Sequence, residues 1–288
     1  MDQKILGLKT AHKEFMDFLR QKNRASATIL AYGADLKQLI DFCLQLKRTS
    51  VTDISTADLK AFKEFLAKNS YTPKSISRKI NSIKSFFKYL YSQKQLSENP
   101  ATNLIHPKYD VKPPRVLSKM EYRALRDVCR NDIRIFAIVE LFLQTGIRIG
   151  ELANLHLEDI KQNTLSVRIY ESHPTRKIPL NRAAQAAVEN YLKSRPKSKS
   201  KYLFITKTGK PFLIRNIRST INRYFKLAGV ENAKINDLRH TFIAYQLKAG
   251  TPLTLVSKLT GHKRLSTTEK YLSLVKKSQS EKFKLEEL

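Results

Sequence analysis

Four short stretches in the second half of the chain carry side chains able to hold an anion, exchange a proton and attack an electrophile. They are Thr145-Gly146-Ile147-Arg148-Ile149-Gly150-Glu151-Leu152, Asp237-Leu238-Arg239-His240-Thr241, Leu259-Thr260-Gly261-His262 and Ser266-Thr267-Thr268-Glu269-Lys270-Tyr271. Arg148 follows a glycine turn and begins a helix, and Arg239 sits early in another. A guanidinium is planar, stays charged and donates paired hydrogen bonds, which suits an oxyanion. Glu151, one turn beyond Arg148, is placed to orient it. A phenol with a pKa of about 10 is a weak nucleophile at neutral pH unless cations and a base assist it. Tyr271 stands nine residues after Gly261-His262, behind a polar helix start. Taken singly, each has an ordinary reading: an arginine paired with a carboxylate, a tyrosine in a core.

Whatever positions these groups must sit in a strongly basic protein. Among 288 residues, 54 Lys and Arg face 25 Asp and Glu, for a formal charge of +29. Residues 1–110 carry 19 basic and 10 acidic side chains, and residues 111–288 carry 35 and 15. The excess is spread over both parts, as in two folded basic domains drawn to a polyanion, of which nucleic acid is the commonest. The plain alternative is a protein from a lysine-rich proteome. A hydrophobic content of 41% supports real cores. Cys43 and Cys129 are too few and too far apart for a disulfide or metal framework, which fits a reducing cytoplasm. No signal peptide opens the chain, and no apolar run approaches the ~20 residues of a membrane span.

The first hundred residues read as helices. Thr28–Leu46, Thr56–Asn69 and Pro73–Gln93 each place apolar residues at three- and four-residue intervals. The third helix also carries Lys74, Arg78, Lys79, Lys84 and Lys88, and this face is expected to lie along phosphates. His106–Pro114 holds three prolines and no apolar period, so it reads as a linker. Ser118-Lys119-Met120-Glu121 has the form of a capping box that starts a new helix. Beyond it, Arg134–Gln144 and Ala183–Leu192 read as helices. Leu165–Tyr170, Lys177–Leu180 and Tyr202–Ile205 read as short strands, and Ile214 onward as helix broken near Gly229, Gly250 and Gly261. The fold class is mainly α with a small β-sheet. A helical domain over 1–105 and a linker over 106–115 precede a mixed α/β domain with a tail over 116–288.

The order and spacing of the four stretches resemble the tyrosine recombinase (phage integrase) family, with a layout like the Xer-type resolvases. The resemblance covers nearly the whole chain. It implies an N-terminal SAM-like core-binding domain and a tyrosine-recombinase catalytic domain. It implies a site-specific recombinase that cleaves and rejoins DNA through a 3′-phosphotyrosyl intermediate, in DNA integration or dimer resolution. By the same resemblance Tyr271 is the nucleophile, Arg148 and Arg239 clamp the scissile phosphate, and His262 bonds the phosphate or the tyrosine. His240, which points to another helix face than Arg239, reads as structural or secondary. Ester exchange needs neither a metal nor another cofactor. The partner is double-stranded DNA, bound by a homotetramer on two sites, with a second recombinase or accessory protein as an optional addition. The tail Val275–Leu288 would dock on a neighbouring subunit.

Two positions depart from the family pattern. Asn236 stands where the family usually has a histidine; it can donate to a phosphate oxygen but cannot shuttle a proton. Ser172 aligns with the usual general-acid lysine, leaving Lys177, His173 or Arg176 as replacements, the first two being the better proton donors. Two rival readings stand beside the enzyme. A DNA-binding regulator on the same scaffold accounts for the charge but not for the four stretches. A metal-dependent nuclease would need a cluster of ligands that the sequence does not display.

Overall fold

The computed structural model describes residues 6–110, 112–161, 163–171 and 173–275. The chain divides into two compact units, Met1–Val111 and Lys112–Leu288.

The first unit is a bundle of α1 (Leu8–Gln21), α2 (Ser26–Gln45), α3 (Thr56–Lys68) and α4 (Pro73–Ser92). Local signals fix the starts. Ser55 and Asp58 form a capping box before α3, and Thr72 accepts from the Ser75 amide with Pro73 at the first helical position of α4. The apolar stripes meet in one core that includes Phe15, Leu36, Leu39, Phe62, Phe86 and Phe87. Burying each such side chain contributes about 1.5–3 kcal/mol before entropy is counted.

The basic face of α4 is less uniform than its sequence predicts. Arg78 and Lys88 are exposed and Lys84 is half-buried, but Lys79 is buried. Its Nζ donates to Asp35 Oδ1 at 2.9 Å and to Gln38 Oε1 at 2.7 Å, and lies 5.2 Å from the centre of the Tyr71 ring. Arg78 and Ser82 also donate to Asp35, which is itself buried. A buried carboxylate needs such partners, so Lys79 neutralises Asp35 and is withdrawn from the set of expected DNA contacts. Lys79→Met is expected to cost about 3 kcal/mol of stability and to leave the salt dependence of DNA binding unchanged. Lys88→Ala should lower that salt slope by about one unit. Urea unfolding and binding titrations at several salt concentrations check both.

The second unit holds α5 (Lys119–Cys129), α6 (Ile133–Thr145), α7 (Ile149–Ala153), β1 (Ile160–Lys161), β2 (Thr164–Val167), β3 (Arg176–Pro179), α8 (Arg182–Ser194), α9 (Ile214–Leu227), α10 (Ile235–Lys248), α11 (Leu253–Thr260) and α12 (Ser266–Glu269). The Ser118–Glu121 capping box starts α5 as the sequence predicts. The strands form an antiparallel sheet in the order β1-β2-β3. Tyr202–Ile205, expected as a strand, pairs only through isolated bridges, His156 with Tyr202 and Ile205 with Pro211. The core gathers around the mostly apolar α6, and a second cluster of Phe242, Ile243, Leu247, Val256 and Tyr271 lies among α10, α11 and the chain after α12. Mainly α with a small sheet is therefore the architecture. Among the described residues, no helix is long and apolar enough to cross a membrane. Ser172 and residues 276–288, most of the expected docking tail, lie outside the described residues.

Candidate active site

Two glycines make the backbone turns on which the site is built. Gly146 ends α6 in the left-handed region, with φ of 60°, and a Cβ there would collide with the Phe242 ring. The turn delivers Arg148 to the start of α7. Gly261 ends α11 in the same way, with φ of 64°, and a Cβ there would lie 3.0 Å from Arg176 Nη1.

A helix leaves its last carbonyls without intrahelical donors and carries partial negative charge at that end. Three arginines converge on the end of α11. Arg176 Nε donates to the Leu259 carbonyl at 2.7 Å. Arg148 Nη1 and Arg239 Nη2 both donate to the Thr260 carbonyl, at 3.0 and 2.6 Å. Arg148 Nη2 donates to the Gly261 carbonyl at 2.9 Å, and Arg239 Nη1 donates to the Gly146 carbonyl. The fully buried Glu151 offsets this charge. It accepts from Arg148 Nη1 at 3.1 Å and takes Arg176 in a two-pronged pair at 2.9 and 2.7 Å. These guanidiniums hold its carboxyl at about 2 against the opposing cost of burial. Burial, then the charge of Arg148, pulls Arg239 down to about 9, which leaves it cationic at neutral pH.

The pleat of β3 decides which basic residue of the hairpin joins this cluster. Arg176 pairs with Val167 and Ile178 with Leu165, so all four share the inner face, while Lys177 shares the outer one with Ser166. Arg176 is thus committed to Glu151. Lys177 is exposed and lines an open cleft of about 490 Å³ together with Lys258, His262 and Lys263. His173 lies close enough to Arg148 for that cation, after burial, to lower its pKa, and among the described residues its buried Nδ1 has no hydrogen-bond partner.

The remaining expected residues fall around the arginines. Asn236 is exposed on the first turn of α10, one turn before Arg239 and His240. His262 lies with its Nδ1 2.8 Å from Thr268 Oγ1, not against the tyrosine. Burial and the three arginines hold its imidazole neutral, down to about 3. Tyr271 is only 4% exposed. Burial raises its phenol pKa, while Arg239 acts in the opposite direction. Its hydroxyl lies 2.6 Å from Nδ1 of His240. The family resemblance gives His262 to the phosphate or the tyrosine and leaves His240 a secondary place, whereas the hydroxyl's partner here is His240. The 100° offset between neighbours on a helix turns Arg239 toward the arginine cluster and His240 toward the tyrosine. Among the described residues, no group of three or more His, Cys, Asp or Glu side chains is placed to hold a metal ion.

Residues 115–278 match the phage integrase family, and residues 13–94 match the N-terminal SAM-like domain of phage integrases. The tyrosine recombinase XerC of Staphylococcus epidermidis is 32% identical over 260 residues, covering 87% of this chain and 88% of the relative. XerD of Rickettsia bellii is 30% identical over 285 residues, covering 91% and 93%. Among solved structures, lambda integrase as a tetramer bound to a Holliday junction superposes with a TM-score of 0.75 at 17% identity, over 92% of this chain and 79% of that one. The Tn1549 transposon integrase in complex with a circular intermediate DNA gives 0.75 at 18%, over 96% and 99%. At such identities the structures speak for the fold. The chain belongs to the phage integrase family, the tyrosine recombinases. It is a tyrosine-type site-specific recombinase, an enzyme of DNA strand breakage and rejoining, with Xer recombinases among its relatives.

Proposed function

We propose that the Tyr271 hydroxyl attacks a phosphodiester held by Arg148 and Arg239, forms a 3′-phosphotyrosyl bond and releases a 5′-hydroxyl. A 5′-hydroxyl from a partner duplex then attacks that bond and restores the backbone. The observation that carries this reading is the gathering of Arg148 and Arg239 on one carbonyl oxygen, with Tyr271 close enough to feel the charge of Arg239. Two such guanidiniums stabilise the charge that grows on the non-bridging oxygens, and preorganised donors of this kind are worth about 10²–10³ each in rate. His262, neutral, and the Asn236 amide add donors to the same oxygens. Lys177, from the cleft it shares with His262 and Lys263, protonates the departing 5′ oxygen.

Duplex DNA is held by cations on both units: Arg78, Lys84 and Lys88 of α4, and the exposed Arg215, Arg218, Arg223 and Lys226 of α9. Assembly as a homotetramer on two DNA sites, for integration or dimer resolution, follows the likeness to the tetrameric lambda integrase. A cytoplasmic setting fits Cys43 and Cys129, both free and buried, with thiols raised by burial to about 12 and so unreactive.

The test mixes the purified protein with fragmented DNA from its source, in EDTA, and stops the reaction with SDS. DNA is expected to remain covalently attached, and sequencing it gives the site. Salt-sensitive binding with no attached DNA, or attachment that needs a divalent metal, contradicts the reading.

A further inference from the structure

The residue that receives the proton of the attacking tyrosine is not among the positions the family resemblance carries over. Asn236 occupies the place of the usual histidine, and an amide takes no proton at neutral pH. His262 is engaged with Thr268. His173 is set beside Arg148. Among the described residues, the hydrogen-bond partner of the Tyr271 hydroxyl is His240, at 2.6 Å, with the two rings 5.8 Å apart between centres.

We infer that His240 is the catalytic base of this recombinase, accepting the Tyr271 proton at Nδ1 during cleavage and returning it during rejoining. The inference rests on the reading of Tyr271 as the nucleophile. As the tyrosine oxygen forms its bond to phosphorus, its proton passes to Nδ1, which requires the ring's own proton to sit on Nε2. The electron pair of the broken bond leaves with the 5′ oxygen, which takes a proton from Lys177. Rejoining reverses each transfer, so no co-reactant is consumed. One turn of α10 then supplies both a phosphate clamp, Arg239, and the partner of the nucleophile.

The surroundings keep the ring ready to accept. Burial lowers the pKa of His240, Arg239 lowers it further, and Asp237 on the same helix opposes them. Tyr271 and His262 are the titratable groups that face it from the segments beyond α12 and α11. The imidazole is therefore neutral at neutral pH and becomes cationic, and useless as a base, only in acid.

The experiment uses a nicked suicide duplex carrying the site recovered by covalent trapping, and the same duplex with sulfur in place of the bridging 5′ oxygen. A thiolate leaves without protonation, so the sulfur duplex is blind to the general acid and still sensitive to the base. His240→Asn keeps an acceptor near the Nδ1 position and cannot take a proton. It is expected to bind DNA normally, to slow covalent capture by about 10²-fold or more on both duplexes, and to lose the acid limb of the wild-type pH profile. His240→Ala should be slowed equally and partly restored by added imidazole. Wild-type or faster capture by His240→Asn would make the histidine a mere tether and overturn the inference. Restoration of rate by the sulfur duplex would overturn it too, by placing His240 at the leaving group. Capture by Tyr271→Phe would instead remove the reading beneath it, so the two failures are distinguishable.

Discussion

A Tyr271→Phe protein is expected to bind DNA as the wild type does and to form no covalent complex with it. The substitution removes one oxygen. The ring stays packed among Phe242, Ile243, Leu247 and Val256, which hold the segment after α12 against α10 and α11. The lost hydrogen bond to His240 and the unpaired nitrogen left behind cost about 1–3 kcal/mol, a drop of a few degrees in melting temperature. Nothing in the arginine cluster depends on that oxygen, since Arg148 is held by carbonyls and Glu151, and Arg239 by the Gly146 and Thr260 carbonyls. Phosphate binding should survive while the chemistry is lost completely. SDS-resistant complexes, measured beside filter binding, check both halves, and covalent capture by the variant would mean that another side chain attacks.

Glu151→Gln is expected to destabilise the second unit by about 3–5 kcal/mol and to slow cleavage as well. Glu151 is the one carboxylate bonded to the three-arginine cluster among the described residues, and its side chain is wholly buried. Glutamine keeps the shape but leaves Arg148, Arg176 and Arg239 repelling one another in a desolvated site. With Arg148 no longer held at its Nη1, the phosphate clamp loses orientation, and misplacement by a fraction of an ångström is felt in the rate. The sign of the pH effect follows from the depressed carboxyl. Its folded pKa is about 2 against an ordinary 4.5, so its contribution is present above 4.5 and is lost as pH falls toward 2. Urea unfolding between these values should show wild-type stability falling with acid and a flatter curve for the variant. Equal stability and equal slopes would mean that the cluster is not charge-balanced through Glu151.

The elements that carry the site are those whose signals are local. Glycine turns at Gly146 and Gly261, the Ser118 capping box and the periodicities of α2, α3 and α4 are written within a few residues each, and the structure places helices there. Membership of the family followed from four stretches whose order survives any packing. What sequence could not supply is set by partners far along the chain. Lys79 looks like another cation on the face of α4 until Asp35, from α2, is seen to claim it. Arg176 and Lys177 are chemically similar neighbours, and the register of β3 alone decides which enters the cluster, since a shift of one residue reverses the faces. His240 points away from Arg239, which in sequence makes it look secondary, and that same direction brings it to Tyr271. The gathering of three arginines on the end of α11 has no linear motif, because the acceptors are backbone carbonyls.

The most direct measurement of the central claim is the mass of the covalent adduct. Wild-type complexes trapped on DNA would be digested with nuclease and protease, and the modified peptide sequenced by tandem mass spectrometry. The expected product is a nucleotide joined through its 3′-phosphate to Tyr271. A nucleotide on any other side chain, or one joined through its 5′-phosphate, would contradict it.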